Sequence, residues 1–165
     1  MNTALRTTTL LLALAAAPAY AHTGEQHGKT KAAARIDTEE HAFGRQGDPR
    51  KATRTVTVDM TDAMRFGPAE ITVKQGETIR FVVRNKGKMM HEMVIGTMAE
   101  LKEHGEMMKK HPEMEHDEPY MAHVSPAGRE EMVWQFTKPG DFYYACLVPG
   151  HFEAGMIGKI TVVKR

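Results

Sequence analysis

From residue 55 onward, apolar and polar positions alternate in short runs. In residues 55–60 (TVTVDM), Val56, Val58 and Met60 fall on one side with polar residues between them, the period of a half-buried strand. Residues 71–74 form a short strand turned by Gln75-Gly76, and residues 78–84 (TIRFVVR) a stronger one ended by Asn85-Lys86-Gly87. Residues 91–95 (HEMVI), 131–136 (EMVWQF), 141–146 (DFYYAC) and 157–163 read as further strands, with breaks at Phe66-Gly67-Pro68 and Lys138-Pro139-Gly140. Short strands punctuated by Gly and Pro predict an all-β sandwich. One stretch departs from the period. Residues 97–110 (TMAELKEHGEMMKK) are helical in character, with Thr97 and Glu100 at capping-box spacing and Pro112 as the breaker. The segment from there to Gly128 is expected to be loop, so residues 97–128 read as an insertion between two strands.

Upstream of residue 55 the texture is different. Residues 22–54 are polar, rich in Gly, Lys, Thr and Ala, and lack a sustained apolar period, which predicts a flexible, His-containing tail. Residues 1–21 have the layout of a secretory signal peptide: Arg6, an apolar run over residues 10–17 (LLLALAAA), and Ala19-Tyr20-Ala21 at the cleavage position. An N-terminal membrane anchor is the alternative, against which the short run and its small-residue end weigh. Cleavage would leave a mature chain beginning at His22, without a membrane anchor, in the periplasm. The expected organisation is therefore a signal peptide (1–21), a tail (22–54) and one domain (55–165).

Charge changes the picture little. The formal net charge is +1 with both signs mixed along the chain, which gives no basis for a nucleic-acid or membrane-surface partner. The soft side chains change it more. There are 13 methionines and nine histidines, but a single cysteine, Cys146. A lone cysteine cannot form an internal disulfide, and in an oxidising compartment its thiol is at risk unless it is buried as an inert hydrophobe or bound to a metal.

The metal reading has a definite pattern behind it. Residues 146–156 (CLVPGHFEAGM) carry Cys146, His151 and Met156 as C-x4-H-x4-M, in a loop joining the last two strands. Such a loop lets the three side chains converge at one end of a sandwich. His91, which begins the strand HEMVI, is the best candidate for a fourth ligand. One thiolate, two imidazoles and a long axial thioether suit a copper ion that cycles between its two oxidation states. Zinc also takes Cys and His but rarely a thioether, so Met156 favours copper.

These residues, His91 followed by YYACLVPGHFEAGMIGKITVV, resemble the cupredoxin family of small blue-copper proteins, with a loop spacing similar to that of rusticyanin and auracyanin. The resemblance covers the chain from about residue 55 to the end, apart from the insertion. It implies an eight-stranded Greek-key sandwich, with His91, Cys146 and His151 as equatorial ligands and Met156 as the axial ligand. In several members the residue after the first histidine is Asn or Ser, which braces the cysteine loop. Here it is Glu92, a departure that leaves the bracing open.

The insertion adds His104, Met107, Met108, His111, Met114, His116, Met121 and His123. On a helix, His104, Met108 and His111 share one face with Met107 beside them, an arrangement that either packs as an apolar stripe or binds additional copper. His22 at the mature N-terminus is a further candidate copper ligand through its amine and ring. With the signal peptide and the copper loop, this insertion is similar to the periplasmic copper-tolerance cupredoxins of Gram-negative bacteria. That resemblance implies a role in binding or redox handling of copper, with copper ions and a periplasmic redox or copper-transfer protein as partners. The alternative is a plain electron carrier that docks through Leu147, Val148, Pro149, Phe152 and Ile157 around His151. An enzymatic role is disfavoured, because four protein ligands leave no open position and the chain has neither an H-x-H pair nor a second cysteine.

Overall fold

The computed structural model describes residues 36–165 except 112, 113 and 115. Ten strands form two five-stranded sheets. In chain order they are β1 (Arg45–Gln46), β2 (Arg54–Thr61), β3 (Arg65–Gly67), β4 (Glu70–Lys74), β5 (Thr78–Asn85), β6 (His91–Gly96), β7 (Met121–Val124), β8 (Arg129–Gln135), β9 (Gly140–Ala145) and β10 (Ile157–Val163), with one helix, α1 (Met98–Lys110), between β6 and β7. The first sheet runs β1-β8-β5-β2-β3 and the second β4-β10-β9-β6-β7. Neighbours pair antiparallel except β2 with β5 and β4 with β10. The expected sandwich is present, and the two very short edge strands β1 and β3 raise the count above eight.

Alternation places the core. Along β5 every second residue is fully covered, and Ile79, Phe81 and Val83 face the second sheet. Ile160 and Val162 of β10 and Ile71 and Val73 of β4 answer from the other side. Strand β6 breaks the rule, because all six of its residues are buried. Its inward positions, Met93 and Ile95, join the main core, while Val94 on the outer face packs with Leu101 of α1, Met121, Ala145 and Leu147. The helix comes close because residue 96 has no side chain: a Cβ there would lie 3.2 Å from Leu101 Cγ. Its start is the expected capping box, with Glu100 N donating to Thr97 Oγ1 at 3.3 Å and Thr97 N donating to Glu100 Oε2 at 2.8 Å.

Two expectations need correction. Residues 112–128 are not all loop, since β7 lies within them and pairs with β6. The folded unit also begins before residue 55. Phe43 is 3% exposed and stacks on Trp134 with centroids 5.2 Å apart, and Trp134 Nε1 donates to Phe43 O at 2.9 Å. Gly44, at φ 120°, lets the backbone pass within reach of Gln135 O, where a Cβ would collide at 2.1 Å. Residues 41–51 thus close over the first sheet as a clasp. Residues 1–35, with the signal-peptide and His22 readings, lie outside the described residues.

Phe43→Ala should therefore lower the unfolding free energy by about 3 kcal/mol, the ordinary cost of removing a buried phenyl ring. Urea denaturation followed by the fluorescence of Trp134 reads this directly. A change within about 0.5 kcal/mol, the size of an exposed substitution, would show that the clasp carries no weight.

Candidate metal centre

Three of the four predicted ligands meet at one end of the sandwich. Ligand atoms of His91, Cys146 and His151 lie within 4.8 Å of one another. His91 enters from the first residue of β6, and Cys146 follows the last residue of β9. The loop 146–156 is closed at its base by Cys146 N donating to Met156 O at 3.1 Å. Within it, Met156 N donates to His151 O at 3.0 Å and His151 N to Val148 O at 2.9 Å, which folds the loop back so that His151 Nδ1 reaches 3.2 Å from Cys146 Sγ. Arg65 pins the far side by donating to Ala154 O at 2.9 Å. Met156 is fully buried in the core at the loop's end.

The orientation of His91 is set by a residue that no sequence pattern singled out. Asp62, in the turn after β2, lies 3.0 Å from His91 Nε2 and also accepts from Lys88 N at 2.8 Å. These donors hold the Asp62 carboxyl below its ordinary range, the Lys88 amide most and His91 next. A carboxylate on Nε2 puts the ring proton there and leaves Nδ1 with its lone pair free. His91 Nδ1 is buried and has no hydrogen-bond partner. An orphaned buried acceptor beside a buried thiol and a second imidazole is the donor set of a soft metal ion, and the residues fit copper.

Glu92 answers the question of the brace. Its backbone N–H donates to Cys146 Sγ at 3.4 Å, and its carboxylate Oε1 accepts from Leu147 N at 2.8 Å. The side chain is buried, and Oε2 is 3.0 Å from Nδ1 of His123, its cross-strand partner on β7. His123 Nε2 in turn faces His116 O at 3.1 Å. Both ring nitrogens of His123 face acceptors, which favours its doubly protonated form. Its pKa is raised from 6.5, chiefly by the hydrogen bond to Glu92, against the opposing effect of burial. The loop is therefore braced by the Glu92 side chain, itself held by His123, in the place where several members of the family carry an amide or hydroxyl.

Burial pushes the Cys146 thiol up to about 12, although the Glu92 and Val148 backbone contacts pull the other way. His151 is held below 6.5 by burial and by the charge of His91. The metal-free site is then a protonated thiol next to a neutral His151 ring at pH 7.

The structure does not gather His104, Met107, Met108 and His111 on one helix face. Helix α1 ends at Lys110, so His111 leaves helical geometry and is exposed. Met108 turns inward and is buried, while Met107 stays 43% exposed. His104 instead meets His116, with Nε2 atoms 2.7 Å apart.

A buried Cys and two His between two sheets, with a methionine closing the loop, define a class: the chain belongs to the family of copper binding proteins of the plastocyanin/azurin type, which matches residues 52–163, and its fold is that of a cupredoxin. Among individual proteins it is similar to the copper-resistant cuproprotein CopI of Rubrivivax gelatinosus, at 49% identity over 150 residues covering 91% of each chain. It is also similar to the copper-resistant cuproprotein CopI of Pseudomonas aeruginosa, at 34% identity over 73% of this chain and 82% of that one. Solved structures of the same fold include auracyanin B, with TM-score 0.60 and 19% identity over 73% of this chain and 96% of the other. The auracyanin of Roseiflexus castenholzii gives TM-score 0.59 and 21% identity over 68% and 98%.

Two measurements check this site. Anaerobic loading with copper(I) at pH 7 should release about one proton per ion, because the thiol must ionise and His151 is already neutral; affinity should rise about tenfold per pH unit until the thiol itself titrates. Calorimetry in buffers of different ionisation enthalpy reads the proton, and release near zero would show that Cys146 is no ligand. Separately, Glu92→Ala orphans the buried Leu147 N–H and should cost about 2 kcal/mol in the apoprotein, with Glu92→Gln, which keeps the acceptor, costing less. Equal losses in chemical denaturation would argue that the Leu147 hydrogen bond is not the source.

Proposed function

We propose that the protein is an exported, periplasmic cupredoxin that holds one type 1 copper with His91, Cys146, His151 and Met156, and that it serves copper tolerance by binding and redox handling of copper rather than as an enzyme. The observation that carries this reading is the buried His91 Nδ1, turned toward Cys146 and His151 by Asp62 and left without a protein partner. Copper bound there supplies a one-electron couple. The protein's share is to hold the donors still: Asp62 fixes the ring of His91, Glu92 braces Leu147 and Cys146, and the loop's own turns fix His151. Met156, buried at the end of the loop, would supply the thioether. The tolerance role is supported by relatives whose names describe copper-resistant cuproproteins. Export is supported by the signal-like pattern of residues 1–21.

The carrier reading draws on His151, whose ring is only partly buried and offers an edge for electron exit. The apolar rim around it is smaller than the sequence implies. Leu147 is buried in the cluster that contains Leu101 of α1, Phe152 and Ile157 pack against that cluster and Val148 against the main core, leaving Pro149 as the exposed part. Lys109 of α1 also pairs with Glu153 of the loop. A helix laid over one flank of the copper loop favours copper handling over broad docking of a redox partner.

Copper titration followed by optical and EPR spectra should show an intense thiolate-to-copper band in the wild type and none in Cys146→Ala. A strain lacking the gene should lose copper tolerance, and the wild-type copy, but not the Cys146→Ala copy, should restore it. A copper complex without that band would overturn the type 1 site, and unchanged tolerance on deletion would overturn the physiological role.

A further inference from the structure

The rings of His104 on α1 and of His116 in the segment leading to β7 take no part in the centre above, which uses only the backbone carbonyl of His116. Their rings lie with centroids 4.7 Å apart and face each other through Nε2 atoms at 2.7 Å. Hydrogen bonding accounts for only part of the arrangement. A neutral imidazole has one donor and one acceptor, yet His116 Nδ1 is buried without a partner, and the partner of Nε2 is another imidazole. His104 is held below the ordinary histidine range, chiefly by burial and then by the neighbouring His116 ring, which favours its neutral form. Neutral imidazoles offer lone pairs to a metal.

We propose that His104 and His116 form a second, thiolate-free copper site, distinct from the Cys146 centre. Metal–nitrogen bonds of about 2.0 Å to two nitrogens 2.7 Å apart subtend about 85°, close to the angle between adjacent positions of a tetragonal copper(II) ion. A linear copper(I) pair would instead need the nitrogens about 4 Å apart. The surroundings suit a cation with some soft character. Met107, Glu103 and Glu118 line the same cavity as the two rings, so a thioether and two carboxylates are at hand for the remaining positions. The site would also staple α1 to the strand that carries His123.

Copper(II) titration of the full mature chain tests the proposal, and its failure is separable from failure of the type 1 reading. The wild type should bind an ion with a tetragonal EPR signal and no thiolate band, in addition to the band-bearing one. Joint His104→Ala and His116→Ala substitution should remove that signal and one equivalent of copper while the thiolate band, which also reports that the domain is folded, is retained. His116→Gln, which can still hydrogen-bond to His104 but is no copper ligand, should lose the second ion as well. Cys146→Ala should do the opposite, losing the band and keeping the tetragonal signal. The proposal is overturned if the double variant keeps full stoichiometry, which places the extra ion elsewhere, such as at His22. It is equally overturned if the wild type takes up only the band-bearing ion, which leaves the rings a hydrogen-bonded pair. A wild type that shows the tetragonal ion but no thiolate band would sink the type 1 reading and leave this one standing.

Discussion

A thiol as deeply buried as that of Cys146 resists ionisation, and the site depends on overcoming that resistance. Burial alone would make the residue an inert apolar side chain. Two features of the fold suit it to hold a metal instead. The last two strands bring His151 back onto the sulfur through an eleven-residue loop closed by its own backbone hydrogen bonds, and β6 delivers His91 with its free nitrogen already aimed. Backbone N–H groups point at the sulfur and favour its charged form. The rest of the sandwich is rigid support for these few ångströms.

Glu92 shows how a locally unfavourable choice can be made to fit. A carboxylate on a fully buried strand is costly unless it is hydrogen-bonded and paired. Here one oxygen takes the Leu147 amide and the other faces the His123 ring, whose pKa is raised by the contact, across the β6–β7 ladder. The same residue thereby joins the copper loop to the insertion. Removing either partner would leave a buried charge or a buried amide without its match, so β7 is as much a part of the site's support as the loop itself.

Much of this was legible in the sequence, and the exceptions share a physical cause. The alternation of residues 78–84 and 157–163, the Thr97–Glu100 box and the C-x4-H-x4-M loop are local signals, and each produced the element it implied. Residues 36–54 were expected to be a loose tail because their contribution is one aromatic side chain and a tight backbone approach at Gly44, neither of which has a period. Strand β7 is four residues long, too short for alternation to register. Asp62 and His91 are 29 residues apart and meet only through sheet geometry. His104 and His116 are 12 apart, beyond any helical spacing, so the sequence grouped His104 with Met108 and His111, which the end of the helix then separates.

The insertion is therefore poorly described as an appendage on a copper domain. Leu101 and Met121 fill the outer face of the second sheet against Leu147, and Lys109 pairs with Glu153 of the copper loop. From His104 a continuous run of polar contacts passes through His116, its carbonyl, His123 and Glu92 to the amide of Leu147. The link from Glu92 to Leu147 is buried, where the low local dielectric makes position matter most, while His123 reaches the surface. A shift of the segment around residue 116 must be absorbed somewhere along that run. Its far end is the residue next to Cys146, so the histidines of the insertion and the thiolate of the copper loop are parts of one mechanically connected structure.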